Sequence, residues 1–170
     1  MTTLNRRKFI ATGIIGAGAY GFAHFTGLFG SNASAELNTG KRFKVTHSPQ
    51  EWKKRLGPAR YRILREAGTE RAFSSPLNKE ERKGIFACAG CDLGLYSSAT
   101  KFDSGTGWPS FWAPIKGRVG TSTDYKIGIP RTEVHCIRCG GHMGHIFNDG
   151  PKPTGKRHCL NGLALNFVPA

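Results

Sequence analysis

Two Cys-x-x-Cys pairs, Cys88/Cys91 and Cys136/Cys139, constrain this chain more than any other feature. Each follows a short apolar or β-branched run, Gly84-Ile85-Phe86-Ala87 in the first case and Thr132-Glu133-Val134-His135 in the second. A strand that feeds a tight turn carrying two thiolates is a zinc knuckle, and two knuckles complete a closed tetrahedral site of structural type. The 44 residues between Cys91 and Cys136 exceed the ~15–20 of a compact zinc ribbon. A sheet must therefore lie between the knuckles and fold them together. Two disulfides or a redox dithiol also use such cysteines. The matched pairs, each after a strand and neither opening a helix, favour zinc.

The fifth cysteine, Cys159, is left over, within Gly155-Lys156-Arg157-His158-Cys159-Leu160-Asn161. Along an extended chain side chains alternate, so Arg157, Cys159 and Asn161 share one face and His158 takes the other. A guanidinium beside a thiol lowers its pKa and raises the fraction of nucleophilic thiolate. The competing reading is a buried cysteine acting as a small hydrophobe.

Residues 1–35 read as a leader and residues 36–170 as the mature domain. Arg6-Arg7 precedes a glycine-diluted apolar stretch from Phe9 to Gly30, and Ala33-Ser34-Ala35 fits the small-residue site before a signal-peptidase cut. The twin arginine resembles the bacterial twin-arginine translocation signal. That resemblance implies export in the folded state to the periplasm, with cleavage after Ala35 and membrane contact only during export. An uncleaved membrane anchor is the alternative, because the apolar stretch is long enough to span.

Ser48-Pro49-Gln50-Glu51 is a capping box with proline in the first helical position. It predicts a helix to Leu56, stopped by Gly57-Pro58, then a second helix over Ala59–Ala67 ended by Gly68. Trp52, Leu56, Ile63 and Leu64 are their core residues. Residues Phe73–Asn78 read as a loop broken by Pro76. Short strands are predicted at Leu95–Ser97, Val119–Thr123 and Ile127–Pro130, in an antiparallel β region.

Two stretches in this region bear on chemistry. In Gly105-Thr106-Gly107-Trp108-Pro109-Ser110-Phe111-Trp112 the glycines and proline set an unusual backbone that can display an indole, although core packing is the usual fate of aromatics. His142 and His145, three apart, lack the His-Glu-x-x-His pattern of a helical metal site, and Gly140, Gly141 and Gly144 argue against a helix. Histidines beside a nucleophilic cysteine suit proton transfer or orientation. Asp149, in a turn, can orient a histidine or pair with Arg157.

Together, Lys101–Gly105, Gly107–Phe111, Arg131–Val134, Gly144–Phe147, Asp149–Asn161 and both knuckles resemble the methionine sulfoxide reductase B family. The resemblance spans nearly all of the mature chain. It implies a mainly β fold of two twisted antiparallel sheets, with short N-terminal helices and one structural zinc. It also implies reduction of the R-epimer of methionine sulfoxide, free or in proteins. Cys159 then stands as the nucleophile and His145 as the acid that protonates the leaving oxygen. His142 and Asn161 complete the polar site, Trp108 receives the substrate methyl, and Arg157 and Asp149 set the charge around the cysteine. Two departures stand out. His158 occupies a position that is often tyrosine. Thr106 occupies a position that in many members is a cysteine resolving the sulfenic acid. With Thr106 there and four cysteines on zinc, the chain is expected to use one cysteine and an external thiol, as a monomer.

A net charge of +14 would also suit a zinc-ribbon nucleic-acid module. The lysines and arginines are scattered rather than gathered in a stripe, and that reading gives Cys159 and the histidines no role. No nucleic-acid partner is expected. A cysteine hydrolase built on Cys159 and His145 lacks an evident oxyanion hole.

Overall fold

The computed structural model describes residues 43–170; the expected leader and the cut expected after Ala35 lie outside them. The first element is helix α1 (Pro49–Glu66), capped by Ser48, whose hydroxyl accepts from the Glu51 N–H while the Glu51 carboxylate takes the Ser48 N–H. Gly57 has φ 68° and ψ 170°, so two helical segments meet there at a kink, with Pro58 opening the second. Pro58 has no N–H to donate, and Gly57 absorbs a left-handed φ without steric cost. The expected stop and restart are both present. Trp52, Ile63 and Leu64 are the buried residues of α1. Among the described residues no helix is long and apolar enough to cross a membrane.

The remainder is two antiparallel sheets. Strands β1 (Gly84–Cys88), β2 (Gly94–Ser97) and β9 (Leu165–Pro169) form the smaller, in the order β2-β1-β9. The larger contains β3 (Lys101–Phe102), β4 (Ser110–Phe111), β5 (Val119–Asp124), β6 (Arg131–Cys136), β7 (His142–Phe147) and β8 (Arg157–Leu160). Its order is β3-β4-β8-β7-β6-β5. The chain end thus returns to pair with β1, Leu165 opposite Cys88 and Pro169 opposite Gly84.

Phe86 and Tyr96 of the small sheet meet Phe111 of the large one, with ring centroids 4.9 and 4.7 Å apart. All three are fully buried and share the core with Leu95, Val134, Met143, Leu160 and Leu165. His158 lies on this inner face, as alternation requires, and its Nδ1 is 3.0 Å from the Tyr96 hydroxyl. Burial holds the His158 pKa down at about 4, so the ring is neutral at pH 7.

Two expectations need correcting. Residues 127–130 are not a strand: they belong to the turn joining β5 to β6, where Gly128 takes φ 83° and its N–H donates to the Tyr125 carbonyl. Pro130 cannot donate to a ladder, which leaves Arg131 to start β6. Pro76 does not prevent regular structure either. It begins a short 3-10 turn, Pro76–Lys79, whose missing N–H is one no helix start would use.

Candidate active site

Register across the large sheet brings the chemistry into one row. Ser122 lies opposite Glu133, Glu133 opposite His145, His145 opposite Cys159, and Cys159 opposite Ser110. Directly opposed residues of antiparallel strands share a face, with Cβ atoms ~4.5–5.5 Å apart. Cys159 on β8 therefore has His145 on one flank and Ser110 on the other.

Simple alternation would send His142 and His145 to opposite faces, since they are three apart. A register shift between Val134 and His135 absorbs one extra residue of β7: Val134 pairs with Gly144, but His135 pairs with His142. Met143 is taken into the core and His142 returns to the face of His145, the two rings 5.3 Å apart. Gly144 is required for closeness, because a Cβ there would lie 2.0 Å from the Cys159 carbonyl oxygen.

Each histidine is held by a carboxylate that the sequence reading did not single out. His145 Nε2 donates to Asp124 Oδ2 at 2.7 Å, and His142 Nδ1 donates to Glu133 Oε1 at 2.6 Å. A carboxylate only accepts, so these bonds place the proton of His145 on Nε2 and that of His142 on Nδ1. Asp124 is itself held by the Lys126 N–H at 2.7 Å and Arg131 Nη2 at 2.6 Å, which keep its carboxyl far below the usual range. Glu133 is lowered to about 2 by His142 first, with help from the Ser122 hydroxyl. Burial pulls the His145 pKa down more strongly than Asp124 pushes it up. His142 stands behind this arrangement rather than on the cavity wall: it is 3% exposed, and its Nε2 meets no hydrogen-bond partner among the described residues.

A cavity of about 130 Å³ opens over the row, lined by Trp108, His145, Phe147, Cys159, Asn161 and Arg131 among others. Its aromatic wall is positioned from behind. Trp108 Nε1 donates to the Glu70 carbonyl at 3.1 Å, and Gly107, with φ 89°, accepts from the Phe73 N–H and from Asn78 Nδ2. Phe111, by contrast, is core, and only Trp108 of the loop's aromatics lines the cavity.

Asn161 contributes less free polarity than expected. Its Nδ2 donates to the Met143 carbonyl and its Oδ1 accepts from the Glu70 N–H, so both ends of the amide are engaged with backbone. Glu70 is buried and accepts from the N–H groups of Gly162 and Leu163. No sequence motif marked it.

Arg157 and Asp149 do meet, through a two-pronged ion pair at 2.9 and 2.8 Å, and the guanidinium stacks 4.5 Å over the Phe147 ring. Asp149 orients neither histidine. The expectation that Arg157 leaves Cys159 with a lowered pKa is overturned. Burial raises the thiol, and this exceeds the opposing pull of Arg157 and of the Thr106 hydroxyl. Arg157 already shares its charge with Asp149, which weakens its effect. Thr106 belongs to a chain of hydroxyls: its Oγ1 is 2.8 Å from Ser104 Oγ, which is 2.8 Å from Ser110 Oγ.

Away from this cavity, Cys88, Cys91, Cys136 and Cys139 bring their sulfurs within 4.8 Å of one another. The Cys88–Cys139 and Cys91–Cys136 sulfurs are each 3.6 Å apart. Tetrahedral zinc with Zn–S bonds near 2.3 Å requires sulfurs about 3.8 Å apart, so the donor set and its spacing fit such an ion. Cys88 ends β1 of the small sheet with Cys91 in the turn after it, and Cys136 ends β6 of the large one with Cys139 in the turn before β7. Trp52 of α1 lies beside Gly90 of the first turn, and Arg65 Nη1 donates to the Cys139 carbonyl at 2.9 Å.

A family model described as the SelR domain matches residues 56–169. The chain belongs to the methionine sulfoxide reductase B family. Within that family it is 52% identical over 126 residues to a peptide methionine sulfoxide reductase of Leptospira interrogans, covering 74% of this chain and 96% of the relative. A protein of the same name from Agrobacterium fabrum is 50% identical over 127 residues, covering 74% and 94%. One from Methanosarcina barkeri is 52% identical over 124 residues, covering 72% and 87%. Both two-cysteine knuckles and the whole row from Ser122 to Ser110 fall within the residues that match the SelR family model.

Proposed function

We propose that this chain reduces methionine (R)-sulfoxide, free or in proteins, through a sulfenic acid on Cys159, and that an external thiol restores the cysteine. The observation that carries the reading is the opposition of Cys159 and His145 in register beneath the Trp108 wall.

The proton inventory suits the reaction. Cys159 rests as a thiol, because burial raises its pKa, and His145 rests neutral with its proton on Nε2. With Nε2 engaged by Asp124, Nδ1 is the ring nitrogen of His145 left to act as a base, and His145 lines the cavity together with Cys159. It takes the thiol proton, Asp124 stabilises the imidazolium through Nε2, and the thiolate attacks the sulfoxide sulfur. The S–O bond breaks as the imidazolium returns that proton to the oxygen, and the hydroxide so released bonds to Cys159 Sγ as the Sγ–S bond to the substrate breaks and the thioether leaves. Atoms balance: a thiol and a sulfoxide become a sulfenic acid and a thioether. The sulfenic acid is on the reversible rung of cysteine oxidation. Trp108 for the methyl, His145 for the oxygen and Cys159 for the sulfur make three points of contact, enough to separate two sulfoxide epimers. Asn161 and Arg157 act as positioning residues, the first through Met143 and Glu70, the second with Asp149 through the field at the thiol. His142, with Glu133, holds the ring of His145 from behind.

The four-sulfur cluster would hold zinc, which would tie the two sheets together and take no part in the proton transfers. Thr106, not a cysteine, stands beside Cys159, and the other four cysteines are gathered in that cluster. This supports a one-cysteine cycle. Residues 1–35 we read as a twin-arginine leader that delivers the folded domain to the periplasm; N-terminal sequencing of the exported protein tests the cut after Ala35.

Activity is tested with the separated epimers. R-methionine sulfoxide with dithiothreitol should give methionine, and the S-epimer should not. Equal turnover of both, or of neither, refutes the reading. Mass spectrometry after one turnover without thiol should find one added oxygen on Cys159, whereas a disulfide to a knuckle cysteine would refute the one-cysteine cycle.

A further inference from the structure

Arg131 lines the substrate cavity with most of its hydrogen-bonding capacity unspent. A guanidinium has five N–H donors. Among the described residues this one makes a single side-chain hydrogen bond, from Nη2 to Asp124 Oδ2 at 2.6 Å. Asp124 is otherwise engaged: its Oδ1 takes the Lys126 N–H, and its Oδ2 is shared with His145 Nε2. Arg157, by contrast, meets Asp149 two-pronged, through Nε and Nη2. Arg131 Nε is buried without a partner among the described residues, while the side chain as a whole keeps 23% exposure. The donors able to reach the cavity are therefore those at the Nη end.

Its position decides what that end would meet. One oxygen, Asp124 Oδ2, joins Arg131 Nη2 at 2.6 Å to His145 Nε2 at 2.7 Å, so the guanidinium stands beside the ring that flanks Cys159. Arg131 is two residues before Glu133 on β6 and shares its face, which is also the face of His145 and Cys159. In a methionine, four bonds separate the sulfur from the carboxyl carbon, ~5 Å when extended. A substrate whose sulfur sits at Cys159 can thus bring its main chain to Arg131. The charge there is unrivalled: among the described lining residues Arg131 alone is permanently charged, since His145 rests neutral and Cys159 rests as a thiol.

We infer that Arg131 recognises the main-chain carboxylate of the substrate, so that the cavity favours free or C-terminal methionine (R)-sulfoxide over the same residue inside a chain. The inference deepens the reductase reading above and rests on it. The Nη end of a guanidinium matches the two oxygens of a carboxylate, and such a charge-assisted pair is stronger than a bond to a neutral acceptor. Inside a polypeptide the same place holds an amide carbonyl, with one oxygen and no charge. Arg131 is then a positioning residue that sets specificity, and the proton transfers stay with His145.

The test uses two substrates that differ only at that end: N-acetylmethionine (R)-sulfoxide, which keeps its carboxylate, and its N-methylamide, which is neutral. With dithiothreitol as reductant, the wild type should show kcat/KM about fivefold higher for the carboxylate. Raising salt to about 0.5 M should shrink that ratio. Arg131→Gln should bring the ratio to about one, whereas any loss felt through Asp124 and His145 lowers both substrates by the same factor. Arg131→Lys should keep part of the preference, because the charge remains and the fork is lost. Equal kcat/KM for the two substrates in the wild type, or a ratio unchanged in Arg131→Gln, would overturn the inference. If Arg131→Gln does not fold, the salt series on the wild type decides, and a ratio that salt leaves unchanged overturns it. Failure of the wild type to reduce either R-sulfoxide would instead overturn the reductase reading, and the inference with it.

Discussion

The carboxylate behind His145 is the sharpest place to test the proton inventory. All three partners of Asp124 are donors: the Lys126 N–H at 2.7 Å, Arg131 Nη2 at 2.6 Å and His145 Nε2 at 2.7 Å. Asp124→Asn keeps the shape but offers one acceptor and one NH₂. If the amide oxygen faces His145 and Arg131, the NH₂ confronts the Lys126 N–H, and the lost bond costs ~1 kcal/mol of stability. The larger effect is on chemistry. A carboxylate about 4 Å from an imidazolium, partly exposed to water, stabilises it by ~1–2 kcal/mol, so the His145 pKa should fall further once that carboxylate is gone. The reactive thiolate–imidazolium form becomes about tenfold rarer, while the more acidic imidazolium partly compensates. The single-turnover rate on R-methionine sulfoxide should fall between ~3-fold and ~10-fold. Acid should not recover it, because lowering the pH protonates His145 without ionising the thiol. Rapid-quench measurement of methionine release from pH 5 to 9 gives the profile. An unchanged plateau would refute the role of Asp124, and full recovery at pH 5 would show that His145 draws its proton from solvent rather than from Cys159.

Other perturbations follow from the same geometry. Cys159→Ser should abolish turnover yet retain one bound metal per chain by plasma emission spectroscopy, and measurable turnover would reassign the nucleophile. His158, at about 4 in the folded chain, is neutral where the unfolded chain's histidine is protonated. Its stabilisation is fully present above pH 6.5 and is lost as the pH falls toward 4, about 2–3 kcal/mol in all. The double variant His158→Phe/Tyr96→Phe should therefore show a shallower decline of Tm with acid, and an equal slope would refute this. Gly144→Ala forces a Cβ into the Cys159 carbonyl and should lower stability by 3 kcal/mol or more, the scale of severe core strain, read by urea unfolding. Removing metal with a strong chelator should lower Tm and depress activity in proportion to unfolding, with no change in the pH profile of the folded remainder.

What could be read along the chain was what repeats or stands alone locally. Two identical knuckle spacings announce a four-sulfur site, and subtraction leaves Cys159. The capping box at Ser48 and the Gly57-Pro58 break each act within a single turn, so α1 was legible with its kink. The partners of the histidines were not. Asp124 and Glu133 reach His145 and His142 only through the register of β5, β6 and β7, which no local pattern encodes. The bulge at Met143 is equally silent: His142 and His145 look mismatched for a strand until one residue is taken out of step. The Cys159 pKa was misjudged because a sequence shows the arginine two residues away but not the burial that opposes it, nor Asp149 holding that arginine.

Glu70 carries a consequence for how the molecule is made. Through backbone and side chain it touches Trp108, Asn161, Gly162 and Leu163, so one segment awaits another synthesised about 90 residues later. β1 likewise waits for β9. Closing loops of such length is slow relative to local structure, and a chain still on the ribosome lacks both the floor of the cavity and the outer strand of the small sheet. The helix can form in that interval, but the active site cannot. Completion of the fold is in effect a checkpoint on translation: a reactive Cys159 pocket requires that residues 161–169 have emerged and docked.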